Sequence, residues 1–467
     1  YPEMRFSAPA DACSRAREEA GAMTTAPALE DPFAELRPAL SRDEAVVEAD
    51  RCLECGGPYA PAPCVTACPA GVDVPTFVAE IARDDPAAAA RTIFAENLLG
   101  GTCSRVCPVE VLCESACVLS HEGKRPISVA TLQRYATDFA FDQGLRLRPA
   151  PRRQRPERVA VIGAGPAGLV CAGELAALGY RVTVYDGRPE VGGLVRFGIA
   201  PYRQRCEPLS EEARLLEQLG VGFRLDEPID SPEALRRIED RADAVFLGIG
   251  LGKDVEADLP GSDLPGVWRS LDFIEALKTG RPPAVGRRTI VIGGGNTAVD
   301  VAREALRLGS SVVTLAYRRT QAEMPAFRHE VEEARAEGIA FQWLAAPRRF
   351  VGEHHLTGVE CALMQLGAPD ESGRRRPEPV AGTEFVLPAD TAVIAIGQQP
   401  RRDLLGWIEG LELERGKVKV DPDTGQTGNG KYYAGGDAVN GGATVVEAVR
   451  GAKVAAHAIH ERLGGGR

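Results

Sequence analysis

The sequence contains no run of the ~18 to 20 apolar residues that a membrane span requires, so no transmembrane segment is expected. It also lacks a surplus of positive charge. The 55 basic residues are outnumbered by 66 acidic ones, and a net charge of -11 argues against nucleic acid as the main partner. The opening residues, YPEMRFSAPADACSRAREEAGAM, hold no apolar core of the kind that marks a secretory signal, and a cytoplasmic location is expected. Because the chain opens on Tyr1, the segment before Met23 is read as an appended or over-read stretch outside the fold. Histidine is scarce as well: there are 6, and the pair His354-His355 is expected to decorate a loop.

Glycine is abundant, at 51 residues, and the 12 cysteines are unevenly spread. The length of 467 residues leaves room for about three domains at roughly 150 residues each, and the 44% hydrophobic and 26% charged fractions are those of an ordinary globular protein. Eight cysteines fall in two windows. RCLECGGPYAPAPCVTACPAGVDVP carries Cys52, Cys55, Cys64 and Cys68, and GTCSRVCPVEVLCESAC carries Cys103, Cys107, Cys113 and Cys117. Cys13, Cys171, Cys206 and Cys361 are scattered and are expected to be bystanders. The chain is too long for a secreted disulfide scaffold, so the windows read as metal or redox ligands. Eight thiolates, with Cys-Pro in each window at Cys68 and Cys107, suit two [4Fe-4S] clusters. Structural zinc also favours four-cysteine sites, but it would not explain why the windows adjoin nucleotide-binding motifs.

Residues 24–145 show apolar positions at helical spacing and no strand alternation, so an all-α domain is expected there. Residues 146–157 are rich in Pro and Arg and read as a linker. Two similar segments follow, RVAVIGAGPAGLVCAGELAALGYRVTVYD and RTIVIGGGNTAVDVAREALRLGSSVVTLAYRR. Each reads as strand, glycine turn, amphipathic helix and strand, a βαβ unit. The fold class is therefore α/β, with two Rossmann-like nucleotide folds after a helical domain.

In the first unit Gly163, Gly165 and Gly168, with Pro166 and Ala167 between them, form G-x-G-x-x-G. The first glycine permits the tight turn, the second lets a pyrophosphate approach, and the third lets helix and strand pack closely. The helix N-terminus then offers free N–H groups to the phosphates. Asp186, after the strand VTVY, stands where an acid bonds the ribose hydroxyls. In the second unit Gly293, Gly294, Gly295, Asn296, Thr297 and Ala298 form the G-x-G-x-x-A variant. Its second strand ends on Arg318 and Arg319, which suit the extra 2′-phosphate of NADPH, with NADH as the alternative. Near the C-terminus a strand, Gly435-Gly436-Asp437 and a helix starting near Thr444 offer a carboxylate and a helix N-terminus to a flavin.

These motifs, with TAVIAIGQQP, resemble the two-dinucleotide-binding flavoproteins. That resemblance implies an FAD domain at 158–286 and 391–467, with an NAD(P)H domain at 287–390 inserted in it. It implies that Gly192, Gly193, Leu194, Arg196 and Arg203 lie along the FAD, and that Gly436, Asp437, Thr444 and Val445 line its ribityl chain and ring. Gly294 to Thr297, Arg318 and Arg319 would hold the nicotinamide nucleotide, and Ala395, Ile396 and Gly397 are counted among the cofactor-binding residues. No CxxC or CxxxxC sits near the flavin motifs, so disulfide reductase chemistry is not expected; Cys171 reads as a packed core cysteine.

As a whole the chain resembles the small subunit of bacterial glutamate synthase and, more closely, the electron-input half of dihydropyrimidine dehydrogenase. TCSRVCPVEVLCESAC and PISVATLQRYATDF carry the likeness. It implies interleaved ligand sets: Cys52, Cys55, Cys64 and Cys117 for one cluster, and Cys68, Cys107, Cys113 and Gln133 for the other. Counting cysteines alone nominates Cys103 instead and leaves Gln133 an ordinary helix-surface amide. The residues GGPYAPAP between Cys55 and Cys64 exceed the family spacing and are expected to loop out. A hydride donor delivers electrons in pairs and a cubane accepts them singly, so FAD belongs between NADPH and the clusters. No catalytic acid or base is nominated. No barrel-sized stretch remains for a second active site, so the acceptor is expected on a separate subunit in a hetero-oligomer. That acceptor would be an FMN/iron–sulfur dehydrogenase subunit, a glutamate synthase large subunit or a ferredoxin. A redox-sensing cluster scaffold is the non-enzymatic alternative.

Overall fold

The computed structural model describes residues 31–370 and 373–464. Cys13, the segment before Met23, the first residues of the expected helical domain and residues 465–467 lie outside the described residues. Two compact units emerge. The larger comprises Glu35–Arg196, Arg203–Gly252 and Pro400–Arg467; the smaller is built mainly from Lys253–Gln399, with Phe197–Tyr202.

In the larger unit, residues 35–145 form helices and, among the described residues, no strand beyond one isolated bridge between Gly57 and Ala60. Three of these helices start where the sequence supplies a cap. Ser41 and Glu44 form a reciprocal capping box for Arg42–Ala49, Asp73 caps Val74–Ala82, and Asp85 caps Pro86–Glu96 with Pro86 in the first turn. Phe77, Val78, Ile81, Ile93, Phe94 and Leu132 recur at helical spacing and are fully buried between Val74–Ala82, Pro86–Glu96 and Val129–Asp142. The GGPYAPAP segment does loop out: Gly57 N–H bonds the Ala60 carbonyl at 3.0 Å, and Tyr59 is 99% exposed.

The same unit holds a five-stranded parallel sheet in the order Tyr432–Ala434, Ala244–Leu247, Arg158–Ile162, Arg181–Tyr185, Gly222–Arg224. The helix Pro166–Ala177 crosses between the two strands of the first βαβ unit and packs against the long helix Val445–Arg462. The expected linker is irregular, as its sequence suggests, yet it is attached: Arg148 Nη2 lies 2.5 Å from Glu174 Oε1, and Arg155 N–H bonds the Gly179 carbonyl at 2.8 Å.

The smaller unit contains a second five-stranded parallel sheet, in the order Val267–Arg269, Thr391–Ala395, Arg288–Gly293, Val312–Tyr317, Ala340–Trp343. Between Trp343 and Thr391 an antiparallel sheet of Ala345–Val351, Gly358–Pro369, Arg375–Pro379 and Phe385–Pro388 is inserted. The structure therefore divides the chain elsewhere than at 287 and 391. Thr391–Ala395 pairs with both Arg288–Gly293 and Val267–Arg269, and all five of its residues are buried. Such an apolar strand must be interior to a sheet, and it takes residues 253–286 and 391–399 with it into the second nucleotide fold.

Candidate cofactor and cluster sites

The first glycine turn is forced by close approach. Gly163 has φ 101°, and a Cβ there would stand 2.4 Å from the Gly248 carbonyl oxygen. At Gly168 a Cβ would come within 1.8 Å of the Gly163 carbonyl oxygen, whereas at Gly165, the N-cap of Pro166–Ala177, it would meet nothing nearer than 3.8 Å. Pro166 and Ala167 begin that helix, whose first N–H groups have no partner within it. Asp186 turns back over the loop: its Oδ2 accepts from Ala164 N–H at 2.7 Å and its Oδ1 from Arg188 N–H at 2.8 Å.

Two distant segments converge on this turn. Gly192 N–H bonds the Ala164 carbonyl at 2.7 Å, and a Cβ on Gly193 would lie 2.9 Å from Gly165 Cα. Leu194 opens the short helix Leu194–Phe197, where Arg196 Nε bonds the Val191 carbonyl at 3.1 Å; Arg203 is half-buried. From the C-terminal motif, Gly436 (φ 68°) faces Ala167, whose Cβ is 2.9 Å from where a Gly436 Cβ would be. Asp437 Oδ1 accepts from Ala443 N–H at 3.1 Å, and burial raises its carboxyl above the ordinary value against that bond. Thr444 caps the helix that begins at Val445, in a capping box with Glu447. Glycine-lined space, an acid at the strand end and a capped helix N-terminus make a cradle that suits the pyrophosphate, ribose and ring of FAD.

The second turn is closed differently. A Cβ on Gly293 would stand 2.1 Å from the Ala395 carbonyl oxygen, and one on Gly294 would meet the Tyr317 ring at 2.4 Å. Gly295 caps Asn296–Arg307, Asn296 Oδ1 accepts from Phe327 N–H at 2.9 Å, and Thr297 is half-buried in the first turn. Ala395, Ile396 and Gly397 thus stand beside this turn, not in the FAD fold, and Gly397 accepts from Val255 N–H at 2.8 Å. Arg318 is exposed, while Arg319 is buried and paired with Asp370. Residues 324–327 also reach the turn, where Ala326 N–H bonds the Gly294 carbonyl at 3.1 Å, a closure that only tertiary contact makes.

The cysteines sort into two groups. Cys52, Cys55, Cys64 and Cys117 line one apolar cavity with Pro63, Val74, Leu119 and Ile127. Burial, then repulsion from Cys52, pushes the Cys64 thiol up to about 11, and burial with Cys55 and Cys117 raises Cys52. The other group is Cys68, Cys107, Cys113 and Cys103. A hydrogen bond with Cys103, then burial, raises the Cys107 thiol, and the Cys113 and Cys68 thiols add to the shift. Gln133 is buried, and its Nε2 donates to the Gly100 carbonyl at 2.7 Å. Cys103 therefore belongs to the second group, while Gln133 is bonded to Gly100, three residues before Cys103 in the chain. Thiols raised by burial and mutual repulsion gain from cationic iron, which takes them as thiolates. The first group rings a cavity, and among the described residues no three His, Cys, Asp or Glu side chains could hold a single metal ion. Cys171 is fully buried on the first glycine helix, its thiol pushed up by burial.

Fold and site together define an NAD(P)H-dependent oxidoreductase of the FAD and iron–sulfur type. Residues 29–145 match the family described as dihydropyrimidine dehydrogenase domain II, 4Fe-4S cluster. Residues 157–452, with an overlapping match at 137–227, match the pyridine nucleotide-disulphide oxidoreductases. The chain is 39% identical to the glutamate synthase [NADPH] small chain of Halomonas elongata over 89% of this chain and 90% of that one. It is 35% identical to the Escherichia coli small chain over 91% and 93%. The chain belongs to the glutamate synthase small-chain family. It is also 35% identical to the NADPH-Fe(3+) oxidoreductase subunit beta of Geobacter sulfurreducens, of which it spans 64%. Among solved structures, Mycobacterium tuberculosis FprA in complex with NADPH shares the fold, with a TM-score of 0.55 and 21% identity over 67% of this chain and 85% of that one. No helix among the described residues is long and apolar enough to cross a membrane.

Proposed function

We propose that this chain is the electron-input subunit of a larger enzyme, oxidising NADPH at FAD and passing electrons singly through two [4Fe-4S] clusters to a separate partner in the cytoplasm. FAD, when bound, accepts a hydride as a pair and releases electrons one at a time. The protein holds and spaces the sites. Gly163 to Gly168, Asp186, Gly193, Leu194, Arg203, Gly436, Asp437, Thr444 and Val445 hold the flavin nucleotide; Gly293 to Thr297, Ala395 to Gly397 and Arg318 hold the nicotinamide nucleotide. Cys52, Cys55, Cys64 and Cys117 ligate one cluster, and Cys68, Cys107, Cys113 and Gln133 the other. Gln133 suits the eighth position because Gly100 engages its amide nitrogen and leaves its oxygen for the metal.

The observation that carries this reading is that the flavin fold and the thiol windows are one compact unit with direct bonds between them. Lys453 Nζ, on the helix capped by Thr444, donates to the Ala70 carbonyl at 3.0 Å and the Glu96 carbonyl at 2.9 Å. Glu212 accepts from Thr102 N–H at 2.8 Å and Thr102 Oγ1 at 2.5 Å, one residue from Cys103. The favoured partner is a glutamate synthase large chain, since the small-chain relatives match over 89% and 91% of this chain and 90% and 93% of their own. A pyrimidine-reducing dehydrogenase subunit is the second reading, favoured by the family match over residues 29–145.

Gly165→Val tests the input site, because a side chain there meets no protein atom closely. The variant should purify depleted of flavin and NADPH should no longer reduce the clusters, while dithionite still gives the cluster EPR signals; full flavin content and NADPH reduction at the wild-type rate overturn the assignment. Loss of one cluster signal in Cys103→Ala, but not in Gln133→Ala, would transfer the eighth ligand to Cys103. Glutamate formation, or dihydropyrimidine formation, on adding each candidate partner decides between the two.

A further inference from the structure

The two arginines that end the strand Val312–Tyr317 do different things. Arg319 is 4% exposed and held on two sides: its Nε donates to the Arg375 carbonyl at 2.7 Å and its Nη2 to Asp370 Oδ2 at 2.6 Å. Both partners belong to the end of the hairpin formed by Gly358–Pro369 and Arg375–Pro379, where Pro369 opposes Arg375. A second ion pair joins the same elements. Arg375 Nη2 lies 2.5 Å from Glu323 Oε1, and Glu323 in turn caps the helical turn Gln321–Glu323 with Thr320. The hairpin end is thus pinned at two points to the loop that follows the strand.

This pinning brings a further cation to the loop. Arg374 precedes the anchored Arg375, and its carbonyl accepts from Asp370 N–H at 2.7 Å. Arg318 is the exposed neighbour of Arg319. Partial loss of water, then repulsion from Arg319 and from Arg374, weakens the hold of the Arg318 guanidinium on its proton. Cations held together by the fold are relieved when an anion arrives. A phosphate monoester carries close to two negative charges and three acceptor oxygens, and guanidinium groups match that geometry.

We propose that the end of this hairpin is part of the nucleotide site: Arg318 and Arg374 grip the 2′-phosphate of NADPH from two separate elements, and Arg319 is a positioning residue that holds the hairpin in place. The inference rests on the NADPH reading above and deepens it, since it moves the selectivity determinant partly out of the βαβ unit. NADH has only a hydroxyl at that place and gains little from either arginine.

The test measures kcat/KM for NADPH and for NADH with the holoenzyme and a dye acceptor, together with calorimetric binding of adenosine 2′,5′-bisphosphate. Arg318→Ala and Arg374→Ala should each lower the NADPH-to-NADH selectivity ratio about tenfold, ~1.4 kcal/mol, and weaken the bisphosphate to a similar degree. Asp370→Asn separates positioning from direct binding. If Arg319 positions the hairpin, cutting its ion pair weakens the bisphosphate; if Arg319 were itself the phosphate ligand, releasing it would tighten binding and overturn the proposal. Arg319→Lys, which keeps a cation for Asp370, should retain more selectivity than Arg319→Ala. An unchanged ratio in Arg374→Ala with a loss in Arg318→Ala removes the hairpin from the site and leaves the NADPH reading standing. An unchanged ratio in all the variants overturns both.

Discussion

In the first nucleotide fold the helix after the glycine turn lies so close to its strand that a Cβ on Gly168 would stand 1.8 Å from the Gly163 carbonyl oxygen. In the second fold the same position is Ala298, whose Cβ sits 3.1 Å from the place a Gly293 Cβ would occupy. The turns are covered differently too, by Gly193 and Gly436 in the first and by the Tyr317 ring and Phe327 in the second. So are their flanks anchored: the first by a buried carboxyl, Glu212, and the second by ion pairs at Arg303, Arg307 and Arg319. One βαβ plan thus tolerates different closures, and the chemistry of each closure sets what disturbs it.

The largest contrast is expected at the third turn position. Gly168→Ala should destabilise the larger unit by ~3 kcal/mol or more, because backbone must move to admit the methyl group; flavin content and melting temperature report it. Next comes Glu337, which accepts from Arg303 Nη2 at 2.6 Å and from Arg307 Nη1 at 2.8 Å. Arg303 is 2% exposed, so Glu337→Gln leaves a buried cation short of its partner and should cost about 2 to 3 kcal/mol in denaturant unfolding. Although burial acts the other way, bonds from Arg307 and Arg303 hold the Glu337 carboxyl at about 2, below its ordinary 4.5. Its contribution is present above pH 4.5 and should fade as pH falls toward 2, a decline that Glu337→Gln should lack.

Glu212 should behave in the opposite sense. Burial, opposed by the two Thr102 bonds, pushes its carboxyl up to about 8, so the folded protein holds a proton that the unfolded chain has released. Stability is then greatest below the unfolded value near 4.5 and falls as pH rises toward 8, by roughly 2 kcal/mol between pH 6 and 8. Thermal melting at the two pH values measures it, and Glu212→Gln should flatten the difference; a wild-type protein equally stable at both would refute the buried acid. The smallest effect belongs to Ala298→Gly, which should cost about 1 kcal/mol of helix stability while the second fold still binds its nucleotide.

The parts of this structure that were legible in the sequence are those written in local pattern. Gly163 to Gly168 and Gly293 to Ala298 announce their turns because left-handed or crowded backbone admits almost nothing else. Ser41, Asp73 and Asp85 announce helix starts, and the cysteine windows announce the iron–sulfur domain that the family match over residues 29–145 shows. What stayed hidden depends on long-range pairing. Thr391–Ala395 reads as a strand anywhere, but only its register with Arg288–Gly293 assigns it to the second sheet and puts the boundary beyond 391. Arg318 and Arg319 look alike until Asp370, fifty-one residues away from Arg319, engages one of them. Cys103 could be weighed against Gln133 only by count and likeness, since neither a single cysteine nor a helix amide carries a local pattern that marks a ligand.

The helix Val445–Arg462 has one further consequence. Thr444, at its cap, stands in the flavin cradle, and Lys453 is bonded to the carbonyl of Ala70, just beyond Cys68. The two are nine positions apart, ~14 Å of rigid α-helix at about 1.5 Å per residue. The helix is a ruler. On the proposed assignment it sets the gap between the flavin and the cluster near Cys68 by counting backbone turns, so a residue inserted between Thr444 and Lys453 would lengthen the gap and rotate the clamp away at a single stroke.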